Sequence, residues 1–441
     1  MWLCTFKKRF FKTMEILANN PGESILSACG NRNDAKAIYR MLNNENFDED
    51  EIFEAHRKAT IARIEKQQVI LAVQDTTGIN YANHLKTEAM GYNCEQTLGV
   101  NLHSCLAVRP DGLVLGLLAQ SCVSRQERKI KIGETQKKAR PIEEKESYRW
   151  LETMEKSSVG VSDCVKLIHV CDREGDIYEL YAKALQTGQN FLIRIMHNRN
   201  TVDTIKLMEQ IRGLKPQGSV LVEIPRDSRR NIPERELELS VSYQKICVKK
   251  PKSSSKDLPE NLPINIISIR SQEKDGLEPI EWLLATNEEI NSVEKAFEYV
   301  GYYVQRWKIE RFHHVLKSGC KVELIQERTL QKTETMLMLK SIIAVKIMNV
   351  TFLARLNGET LCDCVLDEAE WKLLYCAANK TNIPPQRPYS IEKAILYLSQ
   401  LGGYKRCKSD GPPGLKTVWK GIAKLYLLLS FADCFPVVGQ V

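Results

Sequence analysis

The sequence predicts an α/β protein, a mixed-sheet core with helical regions before and after it. Three observations predict this. Between residues 68 and 196 the pattern runs three strands, helix, strand, helix, strand. Residues 216–285 read as alternating strand-like segments separated by Pro, Ser and Lys clusters. Residues before 67, and most of those after 286, carry apolar positions at three- and four-residue steps among charges.

The elements follow in order. Residues 6–66 read as helices. The run 68–74 (QVILAVQ) is short, apolar and β-branched, and Asp75-Thr76-Thr77-Gly78 stops it, which predicts a strand ending in a turn. Strands 99–108 and 113–123 flank Arg109-Pro110-Asp111-Gly112, a hairpin turn. Residues 125–140 form a basic loop. A helix over 143–156, a buried strand over 165–170 ending at Cys171-Asp172, a helix over 176–184 and a strand over 191–196 complete the core. Antiparallel hairpins followed by αβαβ argue for a mixed sheet with helices packed on it. That is the strand order of a ribonuclease-H-like core. The segments SVLVEI, ELELSVSY, INIISIR and EWLLAT then predict an all-β insertion, with 249–256 (KKPKSSSK) as a mobile loop. Helix returns over 290–355. A last helical unit covers 389–434, interrupted at Gly402-Gly403 and Gly411-Pro412-Pro413-Gly414. The expected domains are a helical N-terminal region (1–66), the catalytic core (67–200 and 286–355), the β insertion (201–285) and a helical C-terminal region (356–441).

The 441 residues suffice for two or three domains around a substantial core. Hydrophobic residues make up 43% and charged residues 27%, the balance of a soluble globular chain. A net charge of +8 is only a weak pointer to nucleic acid, because a sum does not say where the charge sits. The 14 cysteines include no Cys-x-x-Cys pair, and the nearest approach, Cys362-x-Cys364, lacks zinc-finger spacing. Cys105, Cys122 and Cys171 lie in apolar runs, where a thiol behaves as a small core residue. Free thiols fit a reducing cytosol. The first eleven residues are too short and too basic for a signal peptide. No run reaches the ~18 consecutive apolar residues of a membrane span. A cytoplasmic protein is expected.

Three acidic residues stand where chemistry is done. Asp75 ends the first strand, Asp172 ends the fourth, and Glu310 lies on a helix after the β segments. The first and fourth strands of a mixed sheet can be neighbours, which would bring both aspartates into one crevice. Phosphoryl transfer between oxygens needs two divalent cations about 4 Å apart. Three carboxylates suffice to hold them, because Mg²⁺ keeps several waters. Taken singly, each Asp reads as an ordinary turn residue. The helix changes the balance. Tyr303, Arg306, Glu310 and Lys317 form a Y-x2-R-x3-E-x6-K pattern, and at ~100° per residue the four fall within an arc of about 60°. An isolated surface helix would simply pair Arg306 with Glu310, four apart. The functional alternative is that Glu310 binds metal while Tyr303, Arg306 and Lys317 grip phosphates. His313-His314 project about 100° apart, so at most one faces such a site. Mg²⁺ prefers oxygen ligands, and both read as structural.

Asp75-Thr76-Thr77, Asp172-Arg173-Glu174 and the Tyr303…Lys317 signature resemble the DDE transposases of the insertion-sequence-four family, which includes the transposon-five transposase. The resemblance extends to residues 191–199 (FLIRIMHNR), to EWLLAT, to Leu401-Gly402-Gly403-Tyr404 and to Trp419. It implies Asp75, Asp172 and Glu310 as catalytic metal ligands for two Mg²⁺ ions, with Mn²⁺ able to substitute. It implies DNA contacts by Tyr303, Arg306 and Lys317, and by Arg194 and Arg199 at the end of the fifth strand. It implies that Trp282 stacks on a flipped base during cleavage through a DNA hairpin, which would repay part of the unstacking cost. The alternative for Trp282 is a buried strand position. Arg226, Arg229, Arg230, Lys249, Lys250 and Lys252 are candidates for a DNA flank, though a charged loop is by default a solvated surface.

The implied partners are double-stranded DNA, as transposon ends and as target, and a second copy of the chain in a synaptic complex, joined through 389–434. Family members carry a longer N-terminal segment for end recognition. Here the chain starts at Met1-Trp2, and Lys7 to Ser24 resemble that segment's second half, so weakened end recognition is expected. The expected function is cut-and-paste DNA transposition by metal-dependent hydrolysis and strand transfer. The alternatives are an inactive, transposase-derived DNA-binding regulator and a structure-specific nuclease on the same fold.

Overall fold

The structure, a computed structural model, describes residues 2–44, 47–83, 87–125, 141–224, 235–252, 254–271, 279–406 and 411–432. Its centre is one nine-stranded sheet in the order β3-β2-β1-β4-β5-β9-β8-β7-β6. The strands are β1 (Val69–Asn80), β2 (Gly99–Val108), β3 (Val114–Val123), β4 (Lys166–Cys171), β5 (Asn190–Arg194), β6 (Gly218–Ile224), β7 (Arg235–Lys249), β8 (Asn261–Ser271) and β9 (Glu281–Thr286). β1–β4 and β4–β5 are parallel pairs. The others are antiparallel. The fold is thus a mixed α/β architecture with a large sheet and helical ends.

β2 is buried at every position because helices cover both sheet faces. β1 runs further than expected. The stretch Asp75-Thr76-Thr77-Gly78 is no turn but stays paired with β2, out to Asn80 opposite Gly99. Two β-branched threonines favour that extended path. A Cβ at Gly78 would press on Cys94 Sγ at 3.2 Å, so glycine there serves close packing. The segments from β6 to β9 are strands as expected, and they continue the same sheet through β9. A short helix, Leu207–Arg212, precedes β6, so residues 201–285 are not wholly β. The loop expected to be mobile is tied down in its described residues. Lys250 pairs with Glu260 at 2.6 Å and donates to the carbonyls of Lys256 and Leu258. The basic loop 126–140 lies outside the described residues, as do Arg226, Arg229 and Arg230.

Side chains at Gln74, Thr76 and His103 point to one sheet face, against helix Tyr148–Ser158, where Trp150 meets His103 edge-on at 4.7 Å. Asp75 and Ser104 point to the other. There Gln120 bridges Ser104 and Ser341 of the long helix Leu330–Leu356. That helix is long and apolar enough on average to cross a membrane, although Lys340 and Lys346 interrupt its apolar run. Yet 78% of its most apolar stretch is buried inside the protein, which makes it the core helix.

Four N-terminal helices, Trp2–Asn19, Ile25–Ala28, Arg32–Leu42 and Glu49–Ile64, pack against this core. At the other end, helices Glu368–Asn379, Ile391–Leu401 and Leu415–Ala432 share an apolar cluster including Trp371, Leu398 and Val418. The first of these three was expected only as part of a helical C-terminal region, not as a separate element. The last two cross closely: a Cβ at Gly421 would lie 1.8 Å from the Leu398 carbonyl, so only glycine fits.

Lys340 fastens the N-terminal region. It is buried on the long helix, and its ammonium donates to the carbonyls of Pro21 at 2.9 Å, Cys320 at 2.8 Å and Glu23 at 3.3 Å. Hydrogen bonds from a charged donor are strong, and stranded carbonyls are costly. Lys340→Met is expected to cost about 3 kcal/mol. Hydrogen exchange should speed up first around residues 16–29; unchanged protection there would contradict this role.

Candidate active site

The site is set by register. β1 and β4 pair in parallel, Val73 opposite Val170. Two residues on along each strand come Asp75 and Asp172, so they sit level and point to the same face. β4 ends at Cys171, and Asp172 caps the following turn by accepting the Glu174 N–H at 2.8 Å. Asp75 remains within β1 and accepts the Thr76 N–H at 2.8 Å.

Glu310 reaches Asp75 from a helix packed over the sheet. The signature is not one continuous helix. Val293–Val304 ends, Gln305 and Arg306 form a tight turn, and Trp307–His314 follows. A π-helical turn, Val315–Gly319, closed by Cys320 N–H to the Val315 carbonyl at 2.8 Å, comes next. Tyr303, Arg306 and Glu310 nonetheless stay together, the Arg306 guanidinium 6.0 Å from the Tyr303 ring centre and 3.2 Å from Glu310. Tyr303 is buried against Trp282, ring centroids 5.4 Å apart. Arg306 is buried and lies between two carboxylates, 3.2 Å from Glu310 and 3.8 Å from Asp75. Lys317 lines a cleft of about 440 Å³ with His314, Lys321, Lys416, Trp419 and Lys420. The i,i+4 pairing of Arg306 with Glu310 is present, but it also includes Asp75.

Burial pushes the Asp75 carboxyl up to about 7, and the charges of Asp172 and Glu310 add to the rise. The Thr76 N–H and Arg306 oppose it. His313, read from the sequence as structural, lies beside the carboxylates. It is 7% exposed, and a ring nitrogen lies with carboxylate oxygens of Asp75 and Glu310 inside a cluster spanning no more than 4.8 Å. Burial and the nearby cations Lys317 and Arg306 push its pKa down to about 3, so the ring is neutral. A mainly oxygen donor set with one neutral imidazole, on one side of Asp75 and level with Asp172, fits a divalent cation.

Arg194 lies over Trp282 at 5.9 Å and donates to the Glu281 carbonyl at 3.4 Å. Trp282 is half-buried, between the exposed and buried alternatives. Arg199 is placed otherwise than expected. Its guanidinium pairs with the buried Asp176, donates to the Asp176 carbonyl at 2.7 Å and rests on Tyr181. That fork holds the protein together and is not turned to solvent. Sequence reasoning also missed Arg149. It donates to Thr76 Oγ1 at 2.9 Å and to Glu174 at 2.7 Å, clamping the strand ends that carry Asp75 and Asp172. No local motif marks it, since the link exists only in three dimensions.

Three family models match the chain. Residues 6–47 match the transposase DNA-binding family, residues 168–346 the transposase DDE domain, and residues 342–434 the transposase Tn5 dimerisation domain. Among solved structures, a piggyBac transposase synaptic complex with hairpin DNA is 10% identical, with a TM-score of 0.37 over 95% of this chain and 76% of that one. So loose a likeness carries no argument. The three models in this order define a DNA transposase, a metal-dependent enzyme that cuts DNA and transfers strands. The chain belongs to the DDE transposases of the insertion-sequence-four family, the transposon-five type. DNA is its partner, the C-terminal region carries the family's dimerisation domain, and the chemistry depends on divalent metal ions.

A carboxyl whose folded pKa exceeds its unfolded value binds its proton more tightly when folded. Its stabilising contribution is complete below about pH 4 and declines as pH rises through about 7. In chelator, Asp75→Asn should therefore be more stable than the native chain above pH 7, by at most about 4 kcal/mol. Thermal melts from pH 4 to 8 check this, and an identical pH dependence for both proteins would refute it.

Proposed function

We propose that the sheet around β1, β4 and β5 is a ribonuclease-H-like catalytic core, with β6–β8 as an insertion extending it. Asp75, Asp172 and Glu310 are its metal-binding carboxylates. The observation that carries this reading is the β1–β4 register, which sets Asp75 level with Asp172 while Glu310 reaches Asp75 from the overlying helix.

Two Mg²⁺ ions, or Mn²⁺ in their place, would neutralise charge on the attacking and leaving oxygens of the phosphodiester. The residues do the rest. Asp75 must shed its proton to serve as a ligand; its raised pKa opposes this in the metal-free site, and the charge of a bound cation would favour the carboxylate. Arg306 offsets the carboxylates through Nη1, while its Nε, without a hydrogen-bond partner among the described residues, is left for a phosphate. Arg194 stands beside Arg306, and Tyr303 presents its hydroxyl between the two guanidiniums. Lys317, with Lys321, Lys416 and Lys420, lines a basic cleft suited to the DNA backbone. Arg199 is left out of the DNA-contacting set because Asp176 already occupies its fork.

In this reading the first cleavage uses water to break the bond at the transposon end and release a 3′-hydroxyl. That hydroxyl attacks the opposite strand to close a hairpin, and after the hairpin is reopened it attacks the target. Two copies, paired through the C-terminal helices, bring two ends together in the compartment that holds the DNA. Trp282, half-exposed and braced by Arg194 and Tyr303, is the platform for a base flipped out at the hairpin.

Asp75→Asn, Asp172→Asn and Glu310→Gln should each lower Mg²⁺-dependent nicking of a plasmid carrying the element's own ends by about 10³-fold or more. Duplex affinity should stay within a few-fold. Any one of them retaining native nicking leaves the metal set. Trp282→Ala should leave the first nick near the native rate while hairpin product falls at least about tenfold. Equal loss of both products would assign Trp282 to packing instead.

A further inference from the structure

His313 is the residue that the proposed site leaves unexplained. It lies on the same helix as Glu310, three positions on, so the two side chains fall on one helical face. Its ring is 7% exposed, and its Nε2 finds no hydrogen-bond partner among the described residues. Buried polar nitrogens are normally satisfied, so an orphan of this kind calls for a partner. Its ring nitrogen also belongs to the compact cluster with Asp75 and Glu310, all atoms within 4.8 Å of one another. That span suits three donors converging on one ion at about 2.1–2.2 Å. A structural histidine packed in the core would instead be expected to bond a backbone carbonyl or a side chain. His103 does so, with Thr76 Oγ1 at 2.8 Å.

We propose that His313 donates a ring nitrogen to the divalent cation shared by Asp75 and Glu310, making this position a mixed nitrogen and oxygen site. The inference rests on the metal-site reading above. It has a consequence for ion choice. A site with only oxygen donors suits Mg²⁺, whereas an imidazole favours Mn²⁺ and the later first-row metals. Asp172, on the other side of Asp75, is left with oxygen partners for the second ion. The two positions would then differ in their preferred metal.

The test uses the full-length protein loaded with Mn²⁺ alone, without DNA. Pulsed electron paramagnetic resonance is expected to show coupling to a directly coordinated imidazole ¹⁴N. The coupling should vanish in His313→Gln and persist in His314→Gln. Titration should show Mn²⁺ affinity falling about tenfold or more in His313→Gln, with Mg²⁺ affinity falling less. His313→Asn serves as the second variant should His313→Gln fold poorly. The native spectrum is informative without either, because absence of ¹⁴N coupling overturns the proposal. If Mn²⁺ binding depends on Asp75 and Glu310 but no coupling tracks His313, the ligand assignment fails and the carboxylate site stands. If Asp75→Asn and Glu310→Gln leave Mn²⁺ binding unchanged, the metal-site reading fails and this inference with it.

Discussion

Parallel pairing of β1 with β4 is the constraint on which the site depends. Parallel strands need a crossover, and the β2–β3 hairpin and the helix Tyr148–Ser158 fill the chain between them. Once Val73 stands opposite Val170, the pleat fixes both aspartates on one face at one height. A slip of one residue in either strand would turn one carboxylate to the opposite face. The register is held from both sides. β1 pairs with β2 over ten residues, Leu71 to Asn80, and beneath the sheet Arg149 ties Thr76 to Glu174. A single guanidinium thus links the residue after Asp75 to the turn capped by Asp172.

Charge balance is the second constraint. Carboxylates gathered at the end of a buried sheet repel one another and lose hydration. Arg306 is the compensating cation, and its burial makes the compensation effective. The incomplete balance shows in Asp75, whose carboxyl stays high despite Arg306 and the Thr76 N–H. Below the strand lies a different kind of polar layer. Gln74 stands between His103 and His169, and His169 meets Ser158. Burial drives both histidines well down, so this layer is neutral. Its bonds brace the strand without adding charge next to the carboxylates.

Much of this was legible locally, and the reasons for the exceptions are physical. Short β-branched runs, the Asp-Gly hairpin turn and the alternation of helix and strand gave the core strands within a few residues. Adjacency of the first and fourth strands followed from the topology such an order permits. Asp75-Thr76-Thr77-Gly78 misled because Asp and Gly favour turns, while pairing with β2 keeps them extended. The helical wheel at the signature grouped Tyr303, Arg306 and Glu310, which lie together in the structure, although it assumes a constant 3.6-residue period. The turn at Gln305-Arg306 and the π-turn at Val315–Gly319 both break that period. Arg199 looked like a free cation because its partner, Asp176, is distant in sequence. His313 was set aside on the ligand preference of Mg²⁺, a rule that says nothing about which side chain the fold buries beside Asp75.

Those two breaks in the signature do positive work. The tight turn seats Tyr303 against Trp282 and beside Arg306, which with Glu310 meets Asp75. The π-turn then carries Lys317 to the cleft shared with the C-terminal helix. Its last residue, Gly319, lies against the Trp419 ring, where a Cβ would sit 3.0 Å from the nearest ring atom. The helix bearing Trp419 packs in turn against Gly402 and the helix before it. One short segment therefore touches Trp282 of β9, the carboxylates and the region that matches the dimerisation domain. The close approach of Gly319 to Trp419 thus sets the π-turn directly against the helix that the dimerisation-domain match covers.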